Sequence, residues 1–235
     1  MKQILIALSL CLVTGCASLF GEPPVRDYTL CFLLTDRPVD EFEESELSAA
    51  MAGHFENMGR LGDSRLLLMA GPLGEPRSNP LHRGIFLFDI EDVNAAEAMA
   101  NTDPAVRAGV FKTRLHAFRS ADPFIDLPRM EAEALYQRRI DDPEAEEWIG
   151  RPYVLVSCAD GDAAEDAMGR ITGTTVLFTG RLGGDLEGTA MFGLDIEDVD
   201  QARLLVELAG PDLEWSLHPW YGTERLEEFV AVPAE

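Results

Sequence analysis

Histidine side chains are the groups in this chain of 235 residues that could exchange a proton at neutral pH, because imidazole titrates at about pH 6.5. His54 lies late in a segment with helical periodicity. A neighbouring carboxylate would orient its ring and fix its tautomer, which is the apparatus of general acid–base catalysis on a C–H or O–H group. An isolated histidine on an amphipathic helix is also commonly a surface or boundary residue, so catalysis and packing both stay open.

Other residues are weaker candidates for chemistry. His116 and His218 lie at equivalent positions of two predicted strands and could point into a shared interface, where packing is favoured over ligation. Arg37 and Arg114 could face an anionic ligand, but in an acidic chain we expect them to pair with carboxylates. The sequence has no Cys, His and Asp cluster at metal-ligand spacing, no phosphate-binding loop before a helix and no G-x-S-x-G motif. We therefore expect no metal site and no cofactor, and no residue is assigned to ligand binding.

Hydrophobic periodicity predicts the elements that would position these residues. Residues 42–61 have apolar side chains at helical spacing, and EDVNAAEAMANTD predicts a second helix that opens with acidic residues suited to its dipole. Compact apolar runs predict strands at YTLCFLL, RLLLMAGPL, GIFLFDI and GVFKTRLHAFR. The first half of the chain therefore reads β-α-β-β-α-β.

The second half of the chain repeats this order in shorter form. FLFDIEDVNAAEA, from Phe86, returns as FGLDIEDVDQARL, from Phe192. The glycine-rich GRLGGDLEG, residues 180–188, lies between two predicted strands and is expected to be a hairpin loop. A β-α-β-β-α-β unit builds a ferredoxin-like layer, with two helices on one face of a four-stranded sheet and the other face bare. A second copy would bury that bare face.

Two segments resemble the signature segments of YCII-related (YciI-like) proteins. They are HFENMGRLGDSRLLLMAGPL, from His54, and DPAVRAGVF, from Asp103. The resemblance is strong over residues 27–119, and residues 150–222 look like a degenerate copy. It implies an α+β fold in which two ferredoxin-like βαββαβ repeats pack sheet to sheet as an intramolecular dimeric α/β-barrel, similar to muconolactone isomerase.

The resemblance also implies a site and a chemistry. Lyase or dehalogenase activity on small hydroxylated aromatics is attributed to one branch of the family, and a His–Asp pair is its proposed active site. By motif position that pair is His54 and Asp103. Asp–Pro is also a common turn in which the aspartate caps backbone N–H groups, so a structural role for Asp103 stays open. In the second copy Ala163 aligns with His54, and Gly210 lies opposite Asp103 or next to it, so we expect only the first copy to carry a site.

The N-terminal segment MKQILIALSLCLVTGCASLF resembles a bacterial lipoprotein signal peptide. Lys2 precedes an apolar run of ten residues, too short to span a bilayer, and V-T-G precedes Cys16 as in a lipobox. Cys16 would carry the lipid, and the residue after it is Ala17 rather than the aspartate that retains such proteins at the inner membrane. We therefore expect an anchor in the cell envelope, in the outer membrane facing the periplasm. Cys31 and Cys158 could form a disulfide there or remain buried free thiols.

Charge excludes one class of partner. The chain has 42 acidic and 19 basic residues and a formal net charge of −23, so it would repel phosphate backbones and we expect no nucleic-acid partner. Two functions remain: an envelope lyase or isomerase that acts on a small organic acid or hydroxyaromatic, and a non-catalytic module that binds a small ligand or an envelope protein. The predicted organisation is signal peptide 1–15, tether 16–26, first repeat 27–119, linker with a helix 120–149, degenerate second repeat 150–222 and C-terminal tail 223–235.

Overall fold

The structure, a computed structural model, describes residues 24–146 and 148–231 and is α+β. The strands are β1 (Arg26–Thr35), β2 (Leu67–Pro72), β3 (His82–Phe88), β4 (Phe111–Ser120), β5 (Gly150–Cys158), β6 (Val176–Leu182), β7 (Ala190–Leu194) and β8 (Trp215–Thr223). The α-helices are α1 (Glu44–Asp63), α2 (Val93–Ala100), α3 (Pro104–Arg107), α4 (Leu127–Asp141), α5 (Gly161–Met168), α6 (Val199–Ala209) and α7 (Glu228–Ala231). Short 3-10 helices lie at Val39–Glu41, Phe124–Asp126, Gly184–Leu186 and Glu224–Glu227.

The strands form one eight-stranded sheet that curls into a nearly closed barrel. Their order is β2-β3-β1-β4-β6-β7-β5-β8, and every paired neighbour runs antiparallel. β4 joins β6 through two residue pairs, and the sheet's two outer strands meet where Leu73 bridges Trp220. Beside that bridge the Gly74 N–H donates to the Pro219 carbonyl over 2.7 Å. The two groups of four strands therefore meet edge to edge at two narrow seams.

A glycine makes the second seam possible. A Cβ on Gly71 would overlap the backbone oxygen of Tyr221 and come within 2.6 Å of the Trp220 indole nitrogen. A residue with any side chain at this position would push β2 away from β8. Gly71 belongs to the A-G-P segment at the end of β2, so this part of the sequence serves closure of the barrel.

Alternation along the strands separates an interior core from two outer cores. On β1 the side chains of Leu30 and Phe32 face into the barrel, whereas Cys31 and Leu33 face out toward α1 and α2. A matching outer core lies between α5, α6 and the second group of strands. Cys31 and Cys158 belong to different outer cores and are both buried free thiols.

The segment between the two halves closes one end of the barrel. Phe124 is fully buried, and its ring meets those of Tyr28, Phe118 and Phe178 at centroid distances of 5.2–6.0 Å. Leu127, the first residue of α4, is fully buried in the same interior core. The predicted linker thus supplies part of the core as well as a connection.

The strands and longer helices predicted from periodicity are confirmed in position and order, including α4 in the linker. α3 was not predicted, because a helix of four residues is too short to show a helical period. Residues 224–231, which we placed in a C-terminal tail, form short helices, and Leu226 and Phe229 pack on the interior core. The predicted lipoprotein signal and its Cys16 lie outside the described residues. No helix in the described part of the chain is long and apolar enough to cross a membrane.

Candidate functional site

His54 lies on the buried face of α1. The buried residues of this 20-residue helix are Ala50, His54, Asn57 and Leu61, spaced at three and four residues as on one side of a helix. Glu44 and Glu46 occupy the first turn, where negative charge complements the helix dipole. The amphipathic period of α1 therefore places the His54 ring against the outer face of the sheet.

Asp103 caps the N-terminus of α3, the short helix that packs against α1. Its Oδ1 accepts hydrogen bonds from the backbone N–H groups of Ala105 (2.8 Å) and Val106 (3.4 Å), and Pro104 fills the first position of the helix. The structural role considered for this Asp–Pro pair is thus confirmed. The cap uses one carboxylate oxygen and leaves the other for a different partner.

The second oxygen of Asp103 binds His54. His54 Nδ1 lies 2.8 Å from Asp103 Oδ2, and the Asp103 side chain is fully buried. Burial would raise the pKa of the Asp103 carboxyl, but the hydrogen bond and charge of His54 and the two backbone N–H groups together hold that pKa below its usual value. Since an ionised carboxylate only accepts, the Nδ1–H of His54 donates to Asp103. The lone pair of the neutral ring then lies on Nε2.

Aromatic rings hold His54 in place. The ring stacks on Phe86 at a centroid distance of 5.7 Å and 19°, and it meets Phe55 and Phe111 edge-on at 5.5 Å each. The His54 side chain is 7% exposed. Among the described residues Nε2 has no hydrogen-bond partner. Nε2 is therefore the atom of this pair with capacity for a further proton.

Polar groups of α1 and the α2–α3 connection support the pair. Asn57 Nδ2 lies 3.5 Å from Asp103 Oδ2, and its Oδ1 accepts from Arg60 over 2.7 Å. Arg60 also donates to Thr102 Oγ1 over 3.2 Å, and the Thr102 hydroxyl donates to the Met99 carbonyl. This network ties the helix that carries His54 to the loop that carries Asp103.

Comparison with protein families identifies this part of the chain. Residues 29–118 match the YCII-related domain. These residues form a YCII-related domain. The match contains both His54 and Asp103, and it agrees with the resemblance carried by the sequence segments around them. No curated protein matches the chain.

The second half of the chain lacks the pair found in the YCII-related domain. Ala163 lies on α5, which has 8 residues against 20 in α1, and Gly210 ends α6. Neither residue can exchange a proton. The His–Asp pair therefore belongs to the YCII-related domain alone among these aligned positions.

Histidines on the other face of the sheet surround a cavity of about 500 Å³. His116 pairs with Leu30 and His218 with Leu155, so both face into the barrel with these leucines, the orientation that the sequence left open. His82 also lines the cavity. His54 lies on the outer face, so the sheet of the YCII-related domain separates the His54–Asp103 pair, the dyad, from the cavity.

Sequence reasoning missed His82. Strict alternation from the inward-facing Ile85 on β3 would point Arg83 into the barrel and His82 outward. The pairing of β1 with β3 shifts between Leu33 and Leu34, and this irregularity brings His82 to the cavity. Alternation alone therefore could not find this residue.

Both arginines considered as anion contacts pair with carboxylates, as expected. Arg37 lies 3.5 Å from Glu46 and covers the Phe42 ring, and Arg114 pairs with Asp185 in the GRLGGDLEG loop. Within the described residues, no group of three or more His, Cys, Asp or Glu side chains is arranged to hold a metal ion.

Proposed function

We propose that this protein is an acid–base enzyme, a lyase or isomerase that acts on a small organic acid or hydroxyaromatic, with His54 as the base and Asp103 as its orienting partner. The 2.8 Å hydrogen bond from His54 Nδ1 to the ionised, buried Asp103 carries the proposal. It selects the tautomer whose Nε2 can accept a proton, and it would stabilise the imidazolium that forms.

The chemistry has two proton transfers. His54 Nε2 takes a proton from a C–H or O–H group of the substrate, and the electron pair moves into the substrate. The imidazolium then returns the proton either to another carbon, which completes an isomerisation, or to a leaving group, which completes an elimination. Asp103 stays ionised throughout and positions the ring.

Hydrogen–deuterium exchange tests the first of these steps without knowledge of the product. Candidate acids and hydroxyaromatics are incubated with the protein in D₂O, and NMR detects deuterium that enters a C–H position. We expect His54→Gln and Asp103→Asn to slow the exchange by about 100-fold or more. Exchange that is absent from the unmodified protein, or is unchanged in His54→Gln, would reject the enzyme proposal.

A second candidate is a non-catalytic binding module. The 7% exposure of the His54 side chain favours it, because a substrate has little access to a ring enclosed by three aromatic side chains. In that case the hydrogen bond between His54 and Asp103 only holds α1 against α3 and has no role in catalysis. Ligand binding that survives His54→Gln, in a protein without exchange activity, would select this candidate.

We also propose that Cys16 is lipidated and anchors the protein to the outer membrane, facing the periplasm. The support is the V-T-G-C sequence after an apolar run, with Ala17 following the cysteine. Mass spectrometry of the mature N-terminus would show a diacylglyceryl cysteine, and Cys16→Ser would move the protein from the membrane fraction to the soluble fraction. An unmodified Cys16 would contradict the proposal.

Finally, we propose that the two halves are copies of one ferredoxin-like unit, the second degenerate. Two observations support this. The strand order β2-β3-β1-β4 of the first half has the same pattern as β6-β7-β5-β8 of the second, and the segments FLFDIEDV and FGLDIEDV occupy the same β–α junction in each.

A further inference from the structure

The histidine-lined cavity lies at the end of the barrel opposite the Phe124 plug. On β1, Tyr28 contacts the plug and Phe32 lines the cavity; on β4, Phe118 contacts the plug and Arg114 lines the cavity. These pairs are four residues apart, roughly 13 Å along a strand. The interior of the barrel is therefore filled at one end and open to a ligand at the other.

The imidazole rings converge in this cavity. The centroids of His82 and His218 lie 5.4 Å apart, Phe32 stacks on His82 at 4.7 Å, and Phe32 meets His116 edge-on at 6.0 Å. His116 is 2% exposed and His218 is 6% exposed. All three imidazoles line the same cavity, which is large enough for one small molecule.

Ring nitrogens in the cavity have unused hydrogen-bonding capacity. Nδ1 of His82, Nδ1 of His218 and Nε2 of His116 are buried, and none has a hydrogen-bond partner among the described residues. Nδ1 of His116 lies 2.9 Å from Asp185 but is not aligned for a hydrogen bond. Buried polar atoms in folded proteins nearly always find a partner, so these nitrogens indicate a ligand.

Burial keeps the three imidazoles neutral while the cavity is empty. Burial lowers the pKa of all three imidazoles, and the proximity of His82 adds to this effect at His218, whose pKa falls to about 4. The Arg114 guanidinium opposes a charge on His82 and His116, while Asp185 favours one on His116 without overcoming burial there. The empty cavity thus holds neutral rings, and the charged groups beside them are the Arg114 guanidinium and the carboxylates of Asp185 and Glu214.

The rest of the wall suits a flat apolar group. Phe32 is aromatic, and Leu155, Leu182 and Met191 are aliphatic. The hydroxyl groups on the wall belong to Ser78, Ser157, Thr189 and Ser216. A planar ring can lie against this surface with one polar end turned toward the imidazoles.

We propose that the cavity binds a small planar aromatic carboxylate, with the carboxylate among His82, His116 and His218 and the ring against the apolar wall. A ligand carboxylate adds a counter-charge beside His82 and His218, which have no carboxylate partner in the part of the chain that the structure describes, so one of them takes up a proton as the ligand binds. This site is independent of the chemistry at His54, which lies across the sheet. The charged groups around the three histidines are Arg114, Asp185 and Glu214, and the Cys158 thiol, in an outer core, borders the cavity at the end of β5.

Calorimetry with 2-naphthoate, and with 2-naphthamide as its neutral counterpart, tests the proposal on the whole chain. Titration in two buffers of different ionisation enthalpy measures proton uptake. We expect 2-naphthoate to bind with uptake of about one proton at pH 7 and with affinity rising about tenfold per pH unit between about pH 8 and 6. 2-Naphthamide should bind more weakly and without proton uptake.

Variants locate the binding. His218→Leu should weaken 2-naphthoate at least about tenfold, because a leucine cannot carry the proton. Ser157→Phe places a large side chain in the cavity from β5 and should abolish binding. This variant tests the location of the site even if the histidine variant is unstable. His54→Ala should leave the affinity unchanged, so failure of the acid–base proposal would leave this result intact. No binding of 2-naphthoate, binding without proton uptake, or equal affinity in Ser157→Phe would overturn the proposal.

Discussion

Asp103 uses its two carboxylate oxygens for two purposes. One oxygen caps α3 and the other receives the hydrogen bond from His54. The cap determines which way the carboxylate points, so the second oxygen is aimed at His54 before any substrate arrives. At the scale of single residues, the hydrogen bonds that cap α3 therefore also set the position of the Asp103 oxygen that binds His54.

Asparagine and alanine at position 103 separate these two contributions. Asp103→Ala removes the cap and leaves His54 Nδ1 buried without a partner, so we expect a loss of about 2–4 kcal/mol in the free energy of unfolding. Asp103→Asn keeps an oxygen for the cap and turns its NH₂ toward His54, and we expect it to lose less than the alanine variant. Urea unfolding gives both values; equal losses would show that the cap contributes nothing.

The asparagine variant should also change the tautomer of His54. Its NH₂ group donates to Nδ1, so the ring hydrogen moves to Nε2, where it removes the lone pair that the proposed base needs. ¹⁵N NMR of the ring distinguishes the two tautomers. An unchanged Nδ1–H form in Asp103→Asn would mean that the carboxylate does not set the tautomer.

The lowered pKa of Asp103 predicts how stability depends on pH. Because the folded-state pKa lies below the unfolded value of about 3.9, the carboxylate stabilises the folded protein above that value, and this contribution is lost as the pH falls through the folded-state pKa. Asp103→Asn has no such contribution. The difference in unfolding free energy between the two proteins should therefore shrink as the pH falls below about 4, the unfolded-state value. A difference that stays constant below that pH would contradict the lowered pKa of Asp103.

At the scale of elements, the close approach of α1 to α3 brings the dyad together. A Cβ on Gly53 would lie 2.8 Å from Pro104, so the absence of a side chain at that position lets the two helices touch. Gly59, on the same helix, has nothing within 4 Å of the position of a Cβ. The contact between the helices therefore requires a glycine at position 53, whereas no neighbouring atom requires one at position 59.

Alanine substitutions at these glycines form a matched pair. Gly59→Ala should stabilise the protein by about 0.5–1 kcal/mol, because alanine loses less backbone entropy in a helix. Gly53→Ala should destabilise it and weaken the bond between His54 and Asp103, because α1 must move away from Pro104. Thermal unfolding measures the first effect and ¹⁵N NMR of His54 the second; similar stabilisation by both substitutions would show that α1 and α3 can separate freely.

At the scale of the whole molecule, each half covers the open face of the other. Tyr28, Leu30 and Phe32 from the first half and Tyr153 and Leu155 from the second share one interior core. Either half alone would expose these side chains and two strand edges. Joining the two halves in one chain therefore buries both inner faces without a second chain.

A fragment of residues 24–122 tests this interpretation. Because its inner face is apolar and its β2 and β4 edges are open, we expect it to form dimers that bury the inner faces against each other. Sedimentation measures the state, and the unmodified chain at the same concentration is the comparison. A fragment that stays monomeric and unfolds cooperatively would show that one half does not need the other.

Much of the architecture could be predicted from the sequence, because the strands and helices follow the local periodicity of apolar residues. The alternating and helical patterns predicted the strands, the long helices and the order of elements, and two short segments identified His54 and Asp103. Features that depend on contacts between residues far apart in the sequence could not be predicted in this way. The plug formed by Phe124 and the inward turn of His82 belong to this second class.

The sequence by itself determined which residues can form helices and strands and that the first half carries a YCII-related domain, because these features depend on neighbours along the chain. Only the tertiary structure decided that His54 meets Asp103, 49 residues away, at 2.8 Å, and that His82, His116 and His218 converge on the opposite face of the sheet. The physical reason is that strand register and helix packing set the distances between remote residues, and one shifted pair in a sheet changes the face on which a side chain lies.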